Sequence, residues 1–317
     1  MDEENFNESF STTVDGNITT ERLTLKTIFN FNTWEDFRIL QPIWDLRIGY
    51  EYYLCSPLFP IVLSVSFYFL CVFPPTLVDL FGREWAWYQK YKIQNNKEVT
   101  WKHVRQAMMI TIWNQIVYVL PAAMAQWIWV PPNPLPERAP TLFEYSWHVM
   151  ACLLLFDFEF FVWHYIHHKV RFLYKVVHSV HHRFYSPFSL VTQYMHPWEL
   201  FSLGIIQTTA PMVFQCHPMT SWGYMTGAII VGVDAHVGFD FPGLPHRWAP
   251  FGWWGGAPKH DMHHRRPNTN FQPFFNHWDR LFGFDCPSVK AGNVRPKELH
   301  EYDLRKRISI RSKCKSS

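Results

Sequence analysis

HYIHHKVRFLYKVVHSVHH, residues 164–182, places six histidines in nineteen positions, and HDMHH follows at 260–264. His164 and His168 are four apart; His178, His181 and His182 are spaced i, i+3, i+4; His260, His263 and His264 repeat that spacing. Residues three and four apart share a face of a helix, so each box is expected to aim two or three imidazoles at one spot. Neutral imidazole is a good ligand for iron, zinc and copper. A single HxxHH can arise by chance, and a single histidine beside an apolar run is usually a satisfied core or interfacial residue. Three boxes of like spacing are different. Gathered together, they would repel one another if charged and leave ring nitrogens unsatisfied if neutral. Coordination of a cation removes both problems. Eight or more ligands exceed what one ion takes, which implies two. A closed structural zinc site has four ligands, often cysteine, and no cysteine lies near the boxes. An all-histidine dinuclear site beside lipid points instead to iron and oxygen chemistry, with ligands unlike the Glu and Glu-x-x-His sets of soluble di-iron bundles.

The surroundings of the boxes are membrane-like. Aromatic residues make up 18% of the 317 and charged residues only 17%. Apolar runs at 57–81, 107–130 and 147–163 are each suited to crossing a bilayer of roughly 30 Å. Pro74 and Pro75 are expected to kink the first. The loop after it carries Arg83, Lys90, Lys92, Lys97 and Lys102, an excess that places it in the cytosol. The third run therefore delivers His164 to the cytosolic surface. Shorter runs at 199–214 and 222–233 read as a helical hairpin or re-entrant pair that returns His236 to the same side. The expected fold is an all-α, multi-pass membrane helical bundle with a histidine-rich helical cap on the cytosolic side. Four regions are expected: 1–50, a polar lumenal tail and lead-in; 51–145, two transmembrane helices and their loops; 146–285, the domain with the histidine boxes; and 286–317, a basic cytosolic tail. Sequons at Asn7 and Asn17 fit a glycosylated lumenal tail. Lys313 and Lys315 resemble a cytosolic dilysine retrieval signal. The six cysteines form no CxxC pair, so neither a disulfide framework nor a zinc ribbon is expected. The net charge of +3 and the lack of a basic stripe argue against nucleic acid.

Rings that hold metal need a partner for the other nitrogen. Asp261, inside the third box, is the leading candidate. Asp157 and Glu159 stand inside a span, where an ionisable group marks a functional site. Asp240 and Asp234 are further candidates, with turn formation in VDAHVGFDFPG as the rival role.

HYIHH, HSVHH and HDMHH resemble the boxes of the fatty acid hydroxylase/sterol desaturase superfamily. The flanking segments LQPIWDLR, SPLFPIVLSVSFY, LYKVVHSVHH, WELFSLG, CHPMT, HRWAPFGWWGG and NFQPFFNHWDRLFG are similar to its cholesterol 25-hydroxylase branch. The likeness runs from about Leu40 to about Gly283. It implies a multi-pass endoplasmic-reticulum membrane enzyme with two histidine-bound iron ions. It carries over as ligands His164 and His168, then His178, His181 and His182, then His260, His263 and His264. The segment His236-Val237-Gly238-Phe239-Asp240 matches a further ligand motif, H-x-G-x-D, with valine where serine is expected. His167 and His196 are additional candidates.

The implied reaction is hydroxylation of a sterol side chain, cholesterol to 25-hydroxycholesterol, with O₂ as co-substrate. The sterol is expected to enter from membrane lipid into a pocket lined by Phe184, Phe188, Trp253 and Trp254. No GxGxxG fingerprint or phosphate loop is present. Neither bound NAD(P) nor heme is expected, and a separate NADPH-dependent reductase or cytochrome must supply electrons. Alternatives within the superfamily are a C4-methyl sterol oxidase and a fatty acid hydroxylase or desaturase. Outside it stands a non-catalytic metal-binding or transport protein, which would line a pore within its spans with histidine.

Overall fold

In the computed structural model, which describes residues 12–14, 17–19, 38–129 and 132–315, the first apolar run closes into one helix, α1 (Leu58–Phe81). The helix continues through Pro74 and Pro75, and the Thr76 hydroxyl donates to Val72 O at 2.7 Å. A second helical rod spans Trp101–Trp129 (α2). Thr100 starts it with a capping box to His103, and one π turn, Gln115–Val119, interrupts it. Thr141 and Glu144 form a capping box that starts α3 (Leu142–Lys169). These three helices are long and apolar enough to cross a membrane.

The α3 sequence sorts itself into two faces. Trp147, Met150, Leu154, Phe158, Val162 and Ile166, three or four apart, are exposed apolar residues. A stripe of this size on a soluble protein would drive association, whereas in a bilayer it faces lipid. The opposite face buries Cys152, Phe156, Asp157, Phe161 and His164.

The two shorter runs form α4 (Pro197–Val213) and α5 (Pro218–His236). α4 packs chiefly on α3, and α5 on both α1 and α3, rather than pairing along their lengths as a hairpin would. The space left between α3, α4 and α5 becomes important below. A short helix, α6 (Gly256–Arg265), packs on α5 and carries the third box.

Two loops turn out to be structural. The segment after α1 folds back through a buried pair, Lys92 Nζ to Asp79 Oδ1 at 2.5 Å. Beside it, Ile93 N donates to Gly238 O and Asp240 N donates to Tyr91 O. Gly238 has φ +69°, and a Cβ there would lie 2.8 Å from Pro187 O, so the H-x-G-x-D segment needs its glycine. The basic segment at 286–317 docks on the body over its first part. A helix, α7 (Lys297–Lys315), buries Leu299 against Met262, Cys286 and Val289, and Arg266 grips Asp303 through two bonds of 2.6 and 3.0 Å. Among the described residues the only strands are a hairpin of three-residue strands, β1 (Thr12–Val14) and β2 (Asn17–Thr19), so the body is all-α. Asn17 begins β2, and Asn7 lies outside the described residues.

Candidate metal centre

Nine imidazoles converge, and they do so in two adjoining groups. His164, His168, His178, His182 and His263 form one; His181, His236, His260 and His264 form the other. Within each group the ring nitrogens that face inward lie within 4.8 Å of one another. The boxes reach this arrangement by different local routes. Box one rides the last turns of α3. Box two is not α-helical: a π turn, Tyr174–His178, ends on His178, and a 3₁₀ turn, His181–Arg183, carries the other two. Box three lies on α6, and His236 is the last residue of α5.

The expectation that each box serves one spot is therefore corrected. Members four apart stay together: His164 with His168, His178 with His182, and His260 with His264. The member three along goes elsewhere, with His181 and His263 joining the opposite group. Helix geometry explains this for box three. At about 100° per residue, i+4 lies about 40° from i on one side and i+3 about 60° on the other. In box one the corresponding residue, His167, joins neither group. It stacks on Trp163 at 3.7 Å and its Nδ1 bonds Trp163 O. His196 is also outside both groups and caps α4, accepting from Trp198 N.

The inward nitrogens are all Nε2, and neighbouring pairs are 2.9–3.2 Å apart. Ordinary hydrogen bonding does not explain every pair. His164 Nδ1 is 2.6 Å from Phe271 O, and His178 Nδ1 is 3.0 Å from the Glu199 carboxylate. A backbone carbonyl only accepts, so His164 Nδ1 carries hydrogen, and with Glu199 ionised His178 Nδ1 does too; both Nε2 atoms then present bare lone pairs. Those lone pairs face each other at 3.0 Å. His181 and His236 repeat the conflict at 3.2 Å, because their Nδ1 atoms donate to Tyr194 O and Gly232 O. Protonating the rings is disfavoured. Burial drives His178, His182, His260 and His264 well below the ordinary imidazole range, with neighbouring rings adding to the effect. Burial likewise takes His181 to about 4 and His263 to about 3. A cation in each group turns opposed lone pairs into ligands. With metal–nitrogen bonds of about 2.1 Å, right-angle coordination places neighbouring nitrogens about 3.0 Å apart and a tetrahedron about 3.4 Å apart. The observed spacing fits the more crowded coordination.

The carboxylate that holds a ring is Glu199, at the start of α4, and sequence reasoning missed it. None of the expected ones reaches a ring of either group. Asp261 accepts from Gln94 and Arg265. Asp157 accepts from the backbone N–H of Phe274 and Phe275 and from Gln272. Asp240 pairs with His246 and with Nε and Nη2 of Arg247. Asp234 accepts from Trp254, and Glu159 has a buried oxygen without a partner among the described residues. Asp157 and Asp279 matter indirectly. Together they anchor backbone N–H groups of Phe271, Gln272, Phe274 and Phe275, the segment whose Phe271 carbonyl orients His164.

A cavity opens onto both groups between α3, α4 and α5. Phe156, Phe160, Leu203, Ala228, Ile229 and Phe274 give it an apolar wall, and His164, His178, His181, His236 and His260 close one end. The expected lining residues are not part of it. Phe184 and Phe188 pack in the core beside Tyr194, Trp253 is exposed, and Trp254 bonds Asp234.

Residues 149–284 match the model of the fatty acid hydroxylase family. Cholesterol 25-hydroxylase-like protein 2 of Danio rerio is 46% identical over 254 residues, which cover 79% of this chain and 91% of the relative. A cholesterol 25-hydroxylase-like protein of Caenorhabditis elegans is 44% identical over 270 residues, 84% of this chain and 89% of the relative. Cholesterol 25-hydroxylase of Homo sapiens is 39% identical over 244 residues, 77% and 89% respectively. No solved structure matches the chain. Two histidine groups at the end of an apolar cavity, and relatives aligned over most of the chain, together make it a member of the fatty acid hydroxylase family.

Proposed function

We propose that the chain is a membrane-bound monooxygenase that hydroxylates a sterol side chain, cholesterol to 25-hydroxycholesterol, at a pair of iron ions. The observation that carries this reading is the convergence of nine Nε2 atoms in two groups, five of whose rings close one end of an apolar cavity. The names of its relatives support the sterol assignment. His164, His168, His178, His182 and His263 would hold one ion, and His181, His236, His260 and His264 the other. When bound, the iron pair supplies activation of O₂. The balance is R–H + O₂ + 2e⁻ + 2H⁺ → R–OH + H₂O, and both electrons come from an external reductase or cytochrome.

The chain's own part is positional. Backbone carbonyls at Phe271, Tyr194, Gly232 and Thr269 and the Glu199 carboxylate fix five rings by Nδ1. Each ring then presents its basic nitrogen in one orientation. The apolar wall excludes water and accepts a hydrocarbon chain end-on toward the histidines. Membrane lipid would deliver the substrate. The endoplasmic reticulum, with the histidine side and C-terminus cytosolic, fits the basic loop after α1.

Product analysis by mass spectrometry, from cells expressing wild type beside His181→Ala, tests the reading. A side-chain-hydroxylated sterol is expected with wild type and at least about a hundredfold less with the variant, as for loss of a catalytic metal ligand. Equal product in both would end it.

A further inference from the structure

The cavity has a second end. Three helices line it over matching lengths: Phe156, Phe160 and His164 on α3; Glu199, Leu203 and Gln207 on α4; Ala228, Gly232 and His236 on α5. Eight residues of helix rise about 12 Å. The cavity therefore runs from the histidines at the end of α3 to Phe156, fourteen residues into a helix of 28. If α3 crosses the bilayer, the far end lies near mid-membrane.

That end is not wholly apolar. Gln207 lines it, and its amide has no hydrogen-bond partner among the described residues. One turn beyond Ala228, Tyr224 packs with Phe156 and Ala210, and its buried hydroxyl also lacks a partner. Of the other polar side chains of the cavity, Tyr68 and Thr192 donate to backbone carbonyls and Glu199 holds His178. The Gln193 amide also has no partner among the described residues, but Gln193 adjoins Tyr194, whose carbonyl holds His181, and so belongs to the histidine end.

We propose that Gln207 determines specificity by hydrogen-bonding the ring hydroxyl of a sterol whose side chain points at the histidines. This rests on the sterol-hydroxylase reading given above. A sterol carries its hydroxyl at the opposite end from its side chain. With the side chain at the histidines, the hydroxyl is drawn into the middle of the membrane, where no water can satisfy it. A partner must be built in, and Gln207 stands there. Oxidation of a ring methyl would need the reverse orientation and would lay a hydrocarbon tail against the amide, leaving it unpaired. An unsubstituted acyl chain would do the same.

The test is competition binding to the full chain in lipid nanodiscs, with tritiated cholesterol displaced by unlabelled cholesterol or by cholest-5-ene, which lacks the hydroxyl. Wild type is expected to prefer cholesterol about tenfold, and Gln207→Leu to lose that preference through weaker cholesterol binding alone. Affinity for cholest-5-ene should stay within about twofold. Gln207→Met, closer in shape, gives the same reading if the leucine variant is not monodisperse. A variant that still discriminates overturns the proposal, as does an equal loss for both ligands, the mark of a merely structural role. If wild type binds neither sterol and forms no hydroxysterol, the sterol reading falls and this inference with it. If wild type discriminates and hydroxylates while Gln207→Leu discriminates equally, only the assignment of Gln207 falls.

Discussion

Glu199 meets His178 across 21 residues of sequence, through one oxygen at 3.0 Å. Its other oxygen is buried without a partner among the described residues. Replacing Glu199 by alanine frees the ring's Nδ1, and loss of such a support typically costs 10–100-fold in metal affinity or activity. Metal retained against graded chelator should fall by about that factor; retention equal to wild type would deny the carboxylate this role. The buried rings also set a pH dependence. The ordinary imidazole value is 6.5, and burial takes His181 to about 4 and His263 to about 3. Below pH 6.5 the unfolded chain binds protons that the folded chain refuses, so stability falls as pH falls through the window from 6.5 toward 4 and 3. Each such ring contributes up to about 1.4 kcal/mol per pH unit there. The thermal midpoint of metal-depleted protein should drop between pH 7 and pH 5 and hold steady between 7 and 8; a flat profile would show the rings to be accessible. The histidines themselves were legible from spacing and resemblance. Glu199 was not, because its meeting with His178 depends on how α4 packs beside α3, which no local pattern encodes.

Helices and their limits were more readable than the roles of residues on them. Thr141 and Glu144 form the cap that their spacing allows, and the lipid stripe of α3 repeats every three or four residues. The π turn before His178 left no trace in sequence, since its residues, YKVVH, suit an α-helix equally well. Asp157 stood out as a charge in a span, yet its partner proved to be the backbone of another segment. Asp157→Ala would strip Phe274 N, Phe275 N and Gln272 of their acceptor. Buried donors left so cost about 1–3 kcal/mol each, which suggests roughly 3–5 kcal/mol here. The unfolding transition should move accordingly, and metal loading should weaken with it because the same segment supplies the carbonyl for His164. Full stability and full loading in this variant would mean that water replaces the carboxylate.

On the scale of the whole molecule, the site is gripped from outside as well as from the spans. α7 packs Leu299 behind Met262, a residue of the third box. Leu299→Asp would bury an unpaired charge there, a class of change that reaches several kcal/mol. A lower thermal midpoint and lost metal are expected, measured on detergent-purified protein; a variant as stable as wild type would show that the contact is optional. Little of this could be read beforehand. A single leucine among lysines, arginines and glutamates forms no pattern, and the docking of the tail depends on where α6 ends.

The alternation of ring partners along the second and third boxes has a consequence for loading. Consecutive residues His181 and His182 belong to different groups, and so do His263 and His264. Filling either position tightens the very turns that shape its neighbour. A titration should then populate chains carrying a full pair of ions or none, with singly filled chains scarce at half-saturation.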